Sequence, residues 1–168
     1  MFRFRHCFLA CLLIFAACSS APPDKALVAL RTQPVQPGHA RLIVYMPKRY
    51  VGTGNGIQFE LDGKRVCDLQ AGEYFVREIT PLTHDFSFSY CGTRNLTHVT
   101  LLAQEGHKYY LRVMPYDSSL TGRLSGYPTD VVEPGEDAHI NGPFQVKQVD
   151  EATALKALES LTYKPGYH

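Results

Sequence analysis

Short apolar runs separated by turn residues fill the chain from Arg41 onward, a pattern typical of all-β proteins. Apolar and polar residues alternate within these runs, so each predicted strand has one face for a core and one for solvent. The predicted strands are residues 41–46, 57–61, 64–69, 73–79, 84–90, 97–103, 108–114 and 143–149. Many short antiparallel strands predict two packed sheets, an antiparallel β-sandwich of about seven or more strands.

One turn in this pattern also predicts a register. Asp62-Gly63 joins two alternating runs and offers the two positive-φ residues that a type I′ hairpin requires. The resulting pairs are Leu61 with Lys64, Glu60 with Arg65, and Phe59 with Val66. These pairs place opposite charges on one face of the hairpin and apolar residues on the other.

The end of the chain changes to a helical period. Asp150 is suited to cap a helix over residues 151–161, in which Leu155, Leu158 and Leu161 form one stripe with Ala154. This C-terminal α-helix is expected to dock on the sandwich. The Gly-, Pro-, Asp- and Ser-rich section 117–142 is expected to be a long excursion with one or two short strands around 129–133.

The first residues of the chain predict a targeting signal. Arg3 and Arg5 precede an apolar run over residues 8–15, and Ala16-Ala17-Cys18 follows. This is the layout of an exported and cleaved leader, and the run is too short to span a bilayer. The segment resembles a bacterial lipoprotein signal peptide, which implies that Cys18 receives diacylglycerol, becomes the first mature residue and is acylated again. Two alternatives are lipidation at Cys11, which has almost no apolar run before it, and an ordinary secretory leader.

This leader implies a domain organisation. Residues 1–17 form the signal peptide, 18–40 a lipidated and Pro-rich flexible tether, 41–149 the β-sandwich, and 150–168 the C-terminal helix and tail. Within the tether, only residues 25–31 are suited to a short helical turn. Ser19 follows Cys18, and by the lipoprotein resemblance this favours the inner leaflet of the outer membrane, facing the periplasm. The implied partners are the membrane, through the anchor, and the lipoprotein export and maturation machinery.

The cysteines fit an exported protein. Of five cysteines, two would leave with the leader and Cys18 would carry lipid, so Cys67 and Cys91 remain in an oxidising compartment. We predict a disulfide between them. The alternation places both thiols away from the core, which favours a bridge between neighbouring strands. The alternative is two free thiols.

Several segments together resemble a known family of bacterial lipoproteins. They are Ala-Arg-Leu-Ile-Val-Tyr at 40–45, Leu-Asp-Gly-Lys at 61–64, Leu-Gln-Ala-Gly-Glu-Tyr-Phe at 69–75 and Glu-Gly-His-Lys-Tyr-Tyr-Leu-Arg-Val at 105–113. They resemble the family called domain of unknown function 2846, over about residues 40–114 and again in the tail. The resemblance implies a small β-sandwich, often lipid-anchored, without an established chemistry.

Charge and motifs exclude several function classes. Removing the leader lowers Lys plus Arg from 17 to 15 against 16 acidic residues, a balance that offers no field for nucleic acid. No nucleophile elbow occurs, and no His-x-His or helical His pair suggests a metal site. No cofactor and no metal are expected. His84 and Asp85 lie on opposite faces of one predicted strand, so they do not converge with Ser87 or Ser89.

The expected function is therefore a non-catalytic binding or structural role in the cell envelope, carried by loops or an exposed strand edge. The expected partner is an envelope protein or the cell wall. The alternative is a periplasmic hydrolase or metal-binding protein that uses a folded cluster of His84, Asp85 and His98.

The lipid anchor can be tested by metabolic labelling with a fatty-acid probe. We expect the parent protein to take up label and to fractionate with the outer membrane, whereas Cys18→Ser should lose both properties because the acyl chains have no attachment site. Cys11→Ser is the matched control and should keep the label. Label retained in Cys18→Ser, or absent from the parent, would contradict the anchor.

Overall fold

A computed structural model describes residues 24–48, 56–90, 96–115, 138–139 and 144–167. The strands are β1 (Ala40–Tyr45), β2 (Ile57–Leu61), β3 (Lys64–Leu69), β4 (Glu73–Ile79), β5 (Thr83–Tyr90), β6 (Thr97–Leu102), β7 (Lys108–Pro115), β8 (Ala138–His139), β9 (Phe144–Val149) and β10 (Thr162–Tyr163). The helices are α1 (Lys25–Thr32) and α2 (Glu151–Leu158). Each of the eight strands predicted from the sequence is present, with ends that agree to within one residue.

The strands form two sheets packed face to face, so the predicted β-sandwich is confirmed. The larger sheet has the order β10-β4-β1-β7-β9-β8, and the smaller has the order β3-β2-β5-β6. Most neighbours are antiparallel, as predicted, but β1 pairs with β7 and β10 with β4 in parallel. The main core lies between the sheets, where the rings of Phe59 and Phe88 stack with centroids 5.1 Å apart.

The hairpin between β2 and β3 has the predicted turn but a modified register. Asp62 and Gly63 have φ values of 51° and 72°, as a type I′ turn requires. The pairs Leu61–Lys64 and Glu60–Arg65 are confirmed, whereas Phe59 lies opposite Cys67 and not opposite Val66. The register shifts between Phe59 and Glu60, so β3 carries one extra residue. A bulge of this kind leaves no mark in the alternation of the sequence.

A second apolar cluster lies on the outer face of the larger sheet. Leu27 and Leu30 of α1 and Ala154 and Leu158 of α2 are buried there, against sheet residues that include Ile43 and Tyr110. Tyr109 and Tyr110 are neighbours on opposite faces of β7, and both are buried, Tyr109 in the main core and Tyr110 in this second cluster. The helices cover the face that would otherwise be wet. The protein therefore has three layers, in the order helices, larger sheet, smaller sheet.

Helix α1 corrects the predicted tether. The segment 18–40 is not a flexible linker from Asp24 onward, because Asp24 caps α1 and its Oδ2 accepts bonds from Tyr74 Oη and the Tyr163 N–H, both at 3.1 Å. The two buried leucines of α1 fall on one face at a spacing of three residues, which is enough to dock a helix of only eight residues. The sequence allows a short helical turn over residues 25–31 in this segment, and the structure has there a docked helix of eight residues.

Arg41 fastens the link between α1 and β1. Its Nη1 and Nη2 donate to the carbonyls of Gln33 and Pro34 at 2.9 and 2.7 Å, and its Nε donates to Glu78 Oε1 at 2.5 Å. The guanidinium is buried and thereby satisfies carbonyls that follow the helix end. The path from α1 into the sheet is thus fixed by a charge-assisted network.

Helix α2 forms as predicted, with Asp150 as its N-cap through a 2.9 Å bond from the Thr153 N–H. It ends at Leu158 and not at residue 161, but Leu161 is still buried. Tyr110 Oη donates to Glu151 Oε1 at 2.9 Å, which ties the first turn of α2 to β7. The predicted docking of this helix on the sandwich is confirmed.

The tail after α2 joins the two sheets along one side. The N–H groups of Thr162 and Lys164 donate to the carbonyls of Gly72 and Tyr74 in the larger sheet, at 2.9 and 2.8 Å. The Tyr167 N–H then donates to the Val66 carbonyl in the smaller sheet at 2.8 Å. At Gly166 an added Cβ would lie 2.4 Å from Phe75 Cε2, so the close approach of the tail requires glycine.

The two structural arguments for the disulfide do not hold. Cys67 forms no disulfide with a described residue, and it lies in the main core and does not point away from it, because the bulge shifts the facing of β3. Strand β2 lies between β3 and β5, so the strand of Cys67 does not neighbour the strand that precedes Cys91. Cys91 itself lies outside the described residues, as do Cys18 and the predicted strands around 129–133. The Cys67–Cys91 pairing therefore stays a prediction.

Alkylation decides the state of Cys67. We expect slow reaction of native protein with iodoacetamide, because the thiolate is the reactive form and burial raises the pKa of the Cys67 thiol to about 12. After unfolding without reductant, complete alkylation of Cys67 in peptide mass spectrometry would establish a free thiol and overturn the predicted pairing. The Cys91 peptide of the same digest is the internal control. Labelling of both peptides only after reduction would establish the disulfide.

Candidate functional site

The outer surface of the smaller sheet carries a cluster of polar side chains, of which Asp85, His98 and Thr100 are exposed whereas Ser87 and Ser89 are buried. The side chains of Phe59, Phe86, Phe88 and Val99 point into the core, so their neighbours along each strand point outward. We call this surface the outer polar face, and its members are Gln58, Glu60, Arg65, Asp85, Ser87, Ser89, His98 and Thr100. The helices lie on the far side of the larger sheet and do not cover it.

A row of register partners crosses all four strands of this face. Arg65 lies opposite Glu60, Glu60 opposite Ser87, and Ser87 opposite His98. Glu60 accepts a 3.1 Å bond from Ser87 Oγ at Oε2 and a 2.7 Å bond from Gln58 Nε2 at Oε1. The Glu60 carboxylate therefore links β2 to Ser87 of β5 within this row.

Asp85 and His98 form the most exposed pair of this face. Asp85 Oδ2 lies 3.4 Å from His98 Nδ1, and the two side chains are 55% and 52% exposed. An exposed pair of this kind adds little to stability, since water screens it and ordering the side chains costs entropy. Breaking this pair so that either side chain can bind a partner would therefore cost little free energy.

His84 lies on the inner side of β5, so the predicted cluster of His84, Asp85 and His98 does not form. Its Nδ1 lies 2.7 Å from Asp62 Oδ2, and its Nε2 lies 2.9 Å from the Thr80 carbonyl oxygen. An imidazolium donates to both acceptors at once. In the neutral ring, the Thr80 hydroxyl at 3.3 Å is an alternative donor to Nε2. The His84 side chain thus has a structural role beside the hairpin turn.

The sequence does not indicate that Asp62 pairs with His84, because the predicted turn already accounts for an aspartate at position 62. Its Oδ1 also accepts a 3.0 Å bond from the Asp85 N–H. Burial acts to raise the pKa of Asp62, but the bonds from the Asp85 N–H and from His84 outweigh it and hold that pKa below its usual value. No local pattern links Asp62 to His84, which lies 22 residues further along the chain.

The outer polar face has the composition of a serine hydrolase but not its geometry. Ser87 Oγ donates to Glu60 and not to His98, so the histidine does not hold the serine proton. Among the described residues, no three His, Cys, Asp or Glu side chains are grouped to hold a metal ion. His98 and His107 do not meet across a hairpin, because β6 and β7 belong to different sheets.

No family model, curated protein or solved structure matches this chain. The family resemblance of the sequence thus stays a prediction. In the described ranges, neither helix is long and apolar enough to cross a membrane.

The role of Asp62 can be tested through the pH dependence of stability. A carboxylate with a lowered pKa stabilises the fold at pH values above its unfolded pKa, and this contribution is lost as the pH falls through the folded pKa. Asp62→Asn should therefore lower the free energy of unfolding by about 1 kcal/mol at pH 7. The difference from the parent should shrink below pH ~4, near the usual pKa of Asp.

The measurement is urea unfolding at a series of pH values, with Asp85→Asn as the matched control. Asp85 pairs only with an exposed histidine at 3.4 Å, so its variant should remain close to the parent. An equal loss in both variants, or a loss in Asp62→Asn that does not depend on pH, would contradict the assigned role.

Proposed function

We propose that this protein is a lipid-anchored lipoprotein of the outer membrane that faces the periplasm and has a non-catalytic binding or structural role in the cell envelope. The leader and Cys18 support the anchor, because their layout is that of a lipoprotein signal. Multiple acyl chains on one cysteine would hold a folded domain at the membrane without a transmembrane helix.

The position of α1 adds an orientation relative to the membrane to this proposal. Only residues 19–23 separate Cys18 from Asp24, which is fastened to Tyr74 and to the Tyr163 N–H. The link from Cys18 to Asp24 reaches about 20 Å at full extension, so the domain stays near the bilayer surface. Helix α1 begins at this link and lies on the outer side of the larger sheet, and the outer polar face lies on the opposite side of the sandwich. The proposed orientation therefore turns the outer polar face toward the periplasm.

One observation carries the binding role. The exposed Asp85 and His98 side chains sit on a rigid, hydrogen-bonded sheet, while the nearby Ser87 hydroxyl is engaged by Glu60. Such a surface offers donors and acceptors in fixed positions and does not present an activated nucleophile. The partner class that fits it is a polar surface of an envelope protein or of the cell wall.

The alternative function is a periplasmic hydrolase or metal-binding protein. The contact between Asp85 and His98 favours it, because two of the three residues expected for such a site do come together. His84 does not join them, since Asp62 and Thr80 hold its ring on the inner side.

We expect the double variant Asp85→Ser, His98→Ser to lose binding to purified envelope fragments, measured by co-sedimentation, with unchanged thermal stability. The matched control is Arg31→Ser, Glu159→Ser, which removes an equally exposed 2.7 Å ion pair from the helical layer. That control should bind like the parent. Equal loss in both double variants would contradict the assignment of the face, and a hydrolytic activity lost only in the first would favour the alternative.

A further inference from the structure

The sheet edges of this protein are protected unequally. In the described part of the chain, β8 and β10 are edges of only two residues each. Edge strand β3 carries Lys64, Arg65 and Asp68, and the tail covers its Val66 carbonyl through the Tyr167 N–H. Short edges, edge charges and covering segments are the usual means by which sheets avoid pairing with other chains.

In the described part of the chain, β6 is neither short nor charged, and no backbone segment covers its outer edge. It is six residues long, Thr-His-Val-Thr-Leu-Leu, without Lys, Arg, Asp, Glu or Pro. It pairs with β5 on one side, and no described strand pairs with it on the other. Leu102 is 63% exposed at its end. A long, uncharged edge rich in β-branched residues favours strand addition.

The backbone of β6 presents a defined set of groups to this open side. The Ala103 N–H donates to the Leu82 carbonyl at 2.9 Å, so residues 97, 99 and 101 also direct their backbone groups toward β5. His98, Thr100 and Leu102 therefore direct theirs outward. In β5, the Asp85 carbonyl accepts a 2.8 Å bond from the Asp62 N–H, so Asp85 directs its backbone groups toward β2 and away from β6. This alternation of backbone groups in β5 agrees with the one in β6. The Leu102 carbonyl also accepts a 3.4 Å bond from Tyr109 Oη, which leaves it a second lone pair.

We propose that β6 pairs antiparallel with β6 of a second copy of this chain, around a two-fold axis at Thr100. The three outward residues are symmetric about Thr100, so Thr100 meets Thr100 of the second copy and His98 meets Leu102. All three pairs are of the hydrogen-bonded type, and the two four-stranded sheets join into one eight-stranded sheet. The exposed Leu102 side chain then packs beside the imidazole of the second copy.

Charge favours a second copy as the occupant. An antiparallel self-pair brings like residues together at its centre, and here the central residue is an uncharged threonine. The nearest acidic side chain on the outer face is Asp85, one strand away from Thr100. The two Asp85 residues of the pair lie three strand spacings apart, about 14 Å, beyond the Debye length of about 8 Å at physiological salt. The pairing requires neither the lipid anchor nor the binding role proposed above.

Site-specific cross-linking tests the axis directly. In full-length protein purified in detergent, Thr100→Cys should form a disulfide-linked dimer on mild oxidation, because hydrogen-bonded partners have Cα atoms about 5.5 Å apart, within disulfide reach. Dimer yield is read on non-reducing gels at high protein concentration, so that a weak pair is trapped. The parent protein is the control for the native cysteines and should stay monomeric on the same gel.

Two matched variants test the register. His98→Cys lies two residues from the axis, so its two copies are about 14 Å apart along the strands, and Asp85→Cys lies one strand inward. Both should stay monomeric. A monomeric Thr100→Cys, equal linking in all three variants, or linking of Thr100→Cys to a different protein would each overturn the proposal. All three positions are on the outer face and tolerate the change, and circular dichroism of each variant checks that it is folded.

Discussion

The fold depends on the burial of both faces of one strand. All six residues of β1 are buried, so the larger sheet needs an apolar partner on each side. The smaller sheet covers one side and the two helices cover the other. Leaving the outer side wet would expose Ile43 and Tyr110, each of which stabilises the fold by about 1.5–3 kcal/mol when buried. The helices are therefore part of the core and not appendages of a two-layer sandwich.

The two ends of the described chain are joined through the carboxylate of Asp24. Asp24 caps α1 and also accepts bonds from Tyr74 and from the backbone of Tyr163, so one carboxylate links the first helix, a central strand and the tail. Beyond Tyr163 the tail continues to β3 and covers its edge. A short protein gains cooperativity in this way, because the terminal segments cannot detach without exposing the second apolar cluster.

These coverings determine which surfaces remain for partners. Among the described residues, the helices occupy the outer face of the larger sheet and the tail occupies one side of the sandwich, and neither covers the outer polar face or the β6 edge. The first presents side chains in fixed positions, and the second presents backbone groups. They suit different contacts, because side chains select a partner by its chemistry whereas an open edge selects for a strand. The proposed binding role and the proposed self-pairing can therefore coexist.

Local patterns in the sequence were sufficient to predict the strands, the type I′ turn at Asp62-Gly63 and the Asp150 cap, since each depends on residues within a few positions of one another. The docking of α1, the bulge opposite Phe59 and the pairing of Asp62 with His84 were decided only by tertiary structure. Each of these features joins residues that are distant in sequence. In each case a local pattern already had an explanation: the prolines indicated a tether, the alternation indicated an outward Cys67, and the predicted turn accounted for Asp62. Strand order was equally beyond the sequence, because alternation sets the two faces of a strand but not the strand beside it. That order brings His98 of β6 beside Asp85 of β5, and it leaves β6 at an edge of the described sheet.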